Sequence, residues 1–343
     1  MRGTLVTLVM CEQSAARHTP SARAGPTTSR RSTPLIQGTI PKPDVLTSEP
    51  IVLEPRKGTL TLKAYAPSIL LAEATFDGIS LFDEDVAELR DRALTLSRQR
   101  LTEEGGLDVE RWSEEYAVYV VSDYGGPPEE LVDRDRMAAL LKSERLPLDP
   151  AEVDYTLSVR FKYARHDLVV VDWDGALVFD PEGDVAWAME LLELGNLQLL
   201  RYRLLDRELD GRLRRVARLV EEAGEQMQAL FKASEIRRAL GELMRLRSQS
   251  IAEFQDVERE IKLIGDWYAA RLYEQVTRRF RLDDWRRAVK EKLDGLASIY
   301  ATAADRFTVS WERRARWIEL VAWYVLLIGW SVLLVLDFYA RGH

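Results

Sequence analysis

The chain is most constrained by a change of hydrophobic period near residue 181. Upstream, apolar residues alternate in short runs broken by Gly and Pro. Downstream they recur every three or four residues as far as residue 316. A period of two is the mark of half-buried strands, and a period near 3.6 that of helices with one covered face. Charge changes at the same place. Residues 51–180 hold 27 Asp and Glu against 15 Lys and Arg, whereas 201–320 hold 21 against 26. An acidic mixed unit followed by a mildly basic helical one is the expected organisation.

Before the boundary, residues 59–65 alternate and predict a strand, as do 115–121 and 155–161. Residues 83–100 and 134–145 carry helical spacing. The segment 168–180 predicts two strands around a tight turn, with Asp174-Gly175 supplying the backbone freedom of a two-residue hairpin. Residues 12–50 are rich in Ser, Thr, Pro and Arg and lack any period, so 1–50 is expected to be a disordered tail. Its acid-poor, Arg-containing character also fits a transit segment.

After the boundary, Leu199, Tyr202, Asp206, Leu209, Leu213, Val216 and Val220 fall on one heptad stripe,. Either an intramolecular bundle or a coiled coil between chains would bury it. The assembly residues expected from it are Leu199, Leu209, Leu213, Val216 and Val220. A polar Asp206 on such a stripe would fix register if paired with Arg203 or Arg207. A second stripe runs from Ile236 to Val276 and a third from Val289 to Phe307, the latter capped by Asp283-Asp284.

The chain closes on an uncharged run over 320–336. Such a run predicts a transmembrane helix over 317–339, with Trp317, Glu319, Trp323, Tyr324, Trp330 and Tyr339 as its anchor residues. Arg313, Arg314 and Arg316 precede it, which would leave the bulk of the protein on the cytoplasmic side of an inner membrane, or the matrix side of a mitochondrial one.

Catalytic vocabulary is sparse. The net charge of −8 argues against direct nucleic-acid binding,. The single cysteine, Cys11, excludes an internal disulfide and Cys-based zinc sites, and the three histidines, His18, His166 and His343, do not suggest a metal centre,. His166, just ahead of a strand, reads as a surface residue. The sharpest chemical feature is Asp172-x-Asp174-Gly175 after an apolar strand. It is similar to the first motif of haloacid-dehalogenase phosphatases, and the two acids are weak candidates for Mg²⁺. Ala176 stands where that motif has Thr, and the sequence downstream is helical, so a solvated turn is the simpler reading. No catalytic residue and no cofactor is expected.

The strings Asp172-Trp173-Asp174-Gly175-Ala176-Leu177, Leu191-Leu192-Glu193-Leu194-Gly195-Asn196-Leu197, Arg279-Phe280-Arg281-Leu282-Asp283-Asp284-Trp285 and Arg316-Trp317-Ile318-Glu319 resemble motifs of the required-for-meiotic-nuclear-division family, over roughly 59–339. The resemblance implies a membrane-anchored protein without an established activity, one relative being linked to mitochondrial translation. The expected fold class is therefore an α+β head over 51–181, a long all-α helical bundle or coiled-coil stalk over 182–316, and one C-terminal transmembrane helix. The expected function is a non-enzymatic, tail-anchored scaffold or adaptor, homo-oligomeric, holding an unknown protein partner such as the translation machinery. The alternatives are a CorA-like oligomeric ion channel and an Asp-based phosphatase.

Overall fold

A computed structural model describes residues 1–14, 42–83, 85–144, 146–222 and 267–341, with a few isolated positions between 238 and 248. Eight strands form one mixed sheet. They are β1 (Arg2–Glu12), β2 (Asp44–Leu53), β3 (Arg56–Tyr65), β4 (Ile69–Ile79), β5 (Ser113–Ser122), β6 (Arg160–Phe161), β7 (Leu168–Val171) and β8 (Gly175–Phe179). Their order is β2-β3-β4-β1-β5-β8-β7-β6. Strands β5 and β8 run parallel, and the other described pairs are antiparallel. The described helices are α1 (Asp85–Glu103), α2 (Pro128–Leu131), α3 (Arg134–Lys142), α4 (Pro150–Thr156), α5 (Ala186–Glu222), α6 (Trp267–Arg279) and α7 (Leu282–Arg341). The chain divides into two compact units. The first is residues 1–206 with 252–289, and the second is 207–251 with 290–343.

In the first unit, period-two patterning assigns the two faces of the sheet. Leu5, Val9, Leu60, Leu62, Ala72, Phe76, Tyr119, Leu177 and Phe179 point to one face. There they share a core with Val86 and Leu89 of α1, Met137 and Leu141 of α3 and Val153 of α4. The intervening residues face the opposite layer, where α5 and α6 pack. Lys63 and Tyr65 of β3 reach Glu193 of α5, and Tyr116 of β5 meets Phe280, just after α6, edge-to-face at 5.4 Å. A sheet covered on both faces by helices needs near-continuous apolar strands, and β7 and β8 are buried at every position.

In the second unit, Leu209, Leu293, Leu296 and Tyr300 are buried. Lys292 Nζ donates to Asp210 Oδ1 at 2.8 Å across α7 and α5.

The structure corrects several expectations. Residues 1–50 are not a featureless tail: β1 lies between β4 and β5 in the middle of the sheet, and β2 begins at Asp44. The run from Leu5 to Cys11 is buried throughout, so it shows no alternation to read. Residues 15–41 lie outside the described residues. Residues 155–161 do not form a full strand. Asp149 accepts from the Ala151 backbone N–H at 2.8 Å and Pro150 sits in the first turn of α4, so a helix starts there,. Only the two residues of β6 remain extended.

The fold class is corrected as a whole. The helical half is not a separate bundle or coiled-coil stalk behind a small head. The first part of α5, and α6, spend their apolar faces on a large mixed sheet, with Leu191, Leu192, Leu197, Leu272 and Val276 all buried. A helical stripe shows that a face is covered but not whether a helix or a sheet covers it. The single-pass, tail-anchored reading and the inner-membrane location fall too. Among the described residues no helix is long and apolar enough to cross a membrane. Glu319, Trp323, Tyr324 and Trp330 are exposed on α7, while the side chains of Trp317 and Tyr339 lie outside the described residues.

Candidate functional site

Asp172 follows β7 directly, and its carboxylate is the most enclosed acid of the motif picked out from the sequence. It is 1% exposed. Arg279, the last residue of α6, donates Nη2 to Oδ1, and Lys142, the last residue of α3, lies 3.2 Å from Oδ2. The Tyr155 ring of α4 stacks on the guanidinium, with Cζ 4.4 Å from the ring centre. The Tyr116 hydroxyl donates to the Asp172 backbone oxygen at 3.2 Å. Lys142 also reaches Glu152 at 3.1 Å. Helices from both layers thus converge on one carboxylate at the end of a strand. Burial drives the Tyr116 phenol well above its ordinary range, and the Asp172 charge adds to that.

Asp174 has a different environment. It is exposed on the turn, and its backbone oxygen accepts from Ala117 N–H at 3.0 Å. The turn closes through Asp172 N–H to the Gly175 oxygen at 2.8 Å. Gly175 is needed for closeness and not for a left-handed backbone: a Cβ there would meet the Ala117 oxygen at 2.6 Å. The two acids therefore do not act as a matched pair, since one is locked between cations and the other faces solvent. Among the described residues, no group of three or more His, Cys, Asp or Glu side chains is placed to hold a metal. His166 is exposed, and its backbone oxygen accepts from the Tyr124 hydroxyl.

A second polar cluster lies under α5. Glu193 accepts from Tyr65 Oη at 2.7 Å and from Lys63 Nζ at 2.9 Å, and Lys63 also reaches Glu73 at 2.8 Å. Burial raises the Glu193 carboxyl above its usual range, and Glu73 pushes the same way against the pull of Lys63. Burial also lifts the Tyr65 phenol, with Glu193 adding to it. Burial alone would lower Lys63, but the two carboxylates outweigh it and the ammonium is held above its ordinary range. Further along α5, Arg203 pairs with Glu114 of β5. Arg203 is therefore already engaged and not reserved for Asp206. Burial still leaves Glu114 raised despite that cation. Cys11 is buried in β1, and burial pushes its thiol up to about 12, which leaves it unreactive,.

The assembly residues divide. Leu199 and Leu209 are buried within the chain, Leu213 is exposed, and the side chains of Val216 and Val220 lie outside the described residues. Most of the second stripe, up to Trp267, also lies outside them. Sequence reasoning singled out Asp172 but missed its partners Lys142 and Arg279, which stand 30 and 107 positions away. An acid inside the apolar string Leu191-Leu192-Glu193-Leu194 was the visible signal for the second cluster, since an acid there needs a partner.

The family model described as Uncharacterized protein MJ0711, N-terminal domain, matches residues 5–185. The Uncharacterized protein MJ0711 of Methanocaldococcus jannaschii is 26% identical over 234 residues, which is 68% of this chain and 68% of that protein. No solved structure matches the chain. The match begins inside β1 and ends past β8, taking in all eight strands and more than half of the residues. The chain belongs to the MJ0711 N-terminal domain family.

Proposed function

We propose that the protein is a non-enzymatic adaptor: a binding module built on a helix-covered sheet, continued by helices that carry further contacts. The observation that carries this reading is the state of Asp172. A phosphatase nucleophile must present a free carboxylate oxygen to an incoming phosphorus. Here one oxygen is taken by Arg279 and the other faces Lys142, in a setting closed to solvent. The same contacts tie α3 and α6 to the end of β7, which is what a structural lock does. The second unit supports the adaptor reading in another way. Leu213 on α5, and Leu320, Val321, Trp323, Leu326 and Trp330 on α7, are large apolar side chains left exposed. Apolar surface of this kind marks places where a partner or a second copy sits.

The test is phosphate release from p-nitrophenyl phosphate with Mg²⁺ present. The adaptor reading expects no release above that of buffer, in the natural chain and in Asp172→Asn alike. Mg²⁺-dependent turnover that disappears in Asp172→Asn would replace it with the phosphatase reading.

A further inference from the structure

In the second unit, every residue of α7 from Glu319 to Ser331 is exposed, a stretch of more than three turns,. Nine of them are large apolar side chains, each between 54% and 71% exposed. A Cβ added at Gly329 would meet nothing within 4 Å. From Leu320 to Ser331 there is no charged side chain, and Ser331 Oγ donates to the Leu327 backbone oxygen at 2.9 Å within the helix itself. A helix that faces water normally keeps a polar side, and one that is apolar all round is normally covered.

Spacing picks out one side of this stretch. Leu320, Trp323, Leu327 and Trp330 fall at steps of three, four and three, the spacing by which one helix packs along another,. Tyr324 and Leu326 flank that seam, and Val325 lies on the opposite side of the helix,. The seam holds both tryptophans of the stretch, and Trp is among the residues in which binding energy concentrates.

Area and charge decide what the seam fits. Each of these six seam and flanking side chains leaves on the order of 100 Å² open, so one chain offers about 600 Å²,. Two such faces together bury about 1,200 Å², which is what the smaller stable interfaces need. An identical copy supplies the second face at the same length and spacing, with no charge taken out of water. A charged partner segment would lose its hydration against this face and find nothing there to pair with.

We propose that residues 320–330 of α7 form a homodimer surface, the seam from Leu320 to Trp330 packing on the same seam of a second copy. This surface extends the adaptor reading by naming what covers α7. A dimer that releases phosphate from p-nitrophenyl phosphate would sink that reading alone, and an inert monomer would sink the dimer alone.

Sedimentation equilibrium of the full chain at tens of micromolar should give the mass of two chains. Leu327→Glu sets a charge in the middle of the seam and should raise the dimer dissociation constant at least about thirtyfold. Val325→Glu sets the same charge on the opposite side and should leave it unchanged. Circular dichroism and urea midpoints matching the natural chain show that both variants are folded. A natural chain that sediments as a monomer, alone or bound to phosphatidylcholine vesicles, would overturn the proposal. So would a dimer weakened equally by both substitutions, or by neither.

Discussion

A carboxylate removed from water stays charged only if cations and hydrogen-bond donors replace the solvent it has lost. Asp172 is faced by two cations, Arg279 and Lys142, whereas Glu193 meets the condition only in part. Glu193 shares Lys63 with a second acid, Glu73, and burial and Glu73 together outweigh the cation. The folded chain thus holds the Glu193 proton to higher pH than the unfolded chain does. The native state binds more protons in that interval, so stability falls as pH rises from the ordinary glutamate value through the raised one, and is level beyond it. Glu193→Gln keeps an acceptor for Tyr65 and removes the titration. Urea midpoints measured across weakly acidic to neutral pH should lose this downward slope in the variant. Parallel slopes for the natural chain and Glu193→Gln would show that Glu193 is not the group responsible.

At the level of elements, α5 and α6 approach so closely at one point that only glycine fits. A Cβ on Gly195 would stand 2.4 Å from Val276 Cγ1 and 3.1 Å from the Phe280 ring. Gly195→Ala gains about 1 kcal/mol in helix propensity and loses about 1–3 kcal/mol to overpacking. A net destabilisation is expected, and adding Val276→Ala should recover part of it, because the methyl in the way is gone. Urea unfolding of the two variants checks this, and a more stable Gly195→Ala would mean that the helices are not in contact there. The same elements show what was legible in the sequence. Strands β3 and β5, helices α1 and α3 and the β7–β8 hairpin carry clear periods and turn residues, and they lie where the spacing predicts. Strand β1 was missed because a central strand covered on both faces has no polar face to give it a period. The destination of the α5 stripe was missed because a sheet and a second helix leave the same pattern on it. The partners of Asp172 were illegible for another reason: Lys142 and Arg279 are ordinary surface-type residues in sequence, and only the fold brings them to the end of β7.

For the molecule as a whole, the Asp172 cluster joins parts of the chain remote in sequence: the sheet at residue 172, α3 at 142 and α6 at 279. The adaptor reading makes this a lock that closes the first unit on itself, where the phosphatase reading makes Asp172 a reactive group. A double-mutant cycle in urea unfolding, with Asp172→Ala, Arg279→Ala and the pair, separates the two most directly. Asp172→Ala strips the buried Arg279 of its counter-ion and Arg279→Ala leaves Asp172 with Lys142 alone, and breaking a buried pair in this way costs about 3–5 kcal/mol,. Removing both should cost much less than the sum, with a coupling energy within the roughly 0.5–3 kcal/mol range of contacting residues and near its top. Single variants that unfold like the natural chain, with a coupling energy close to zero, would contradict the account.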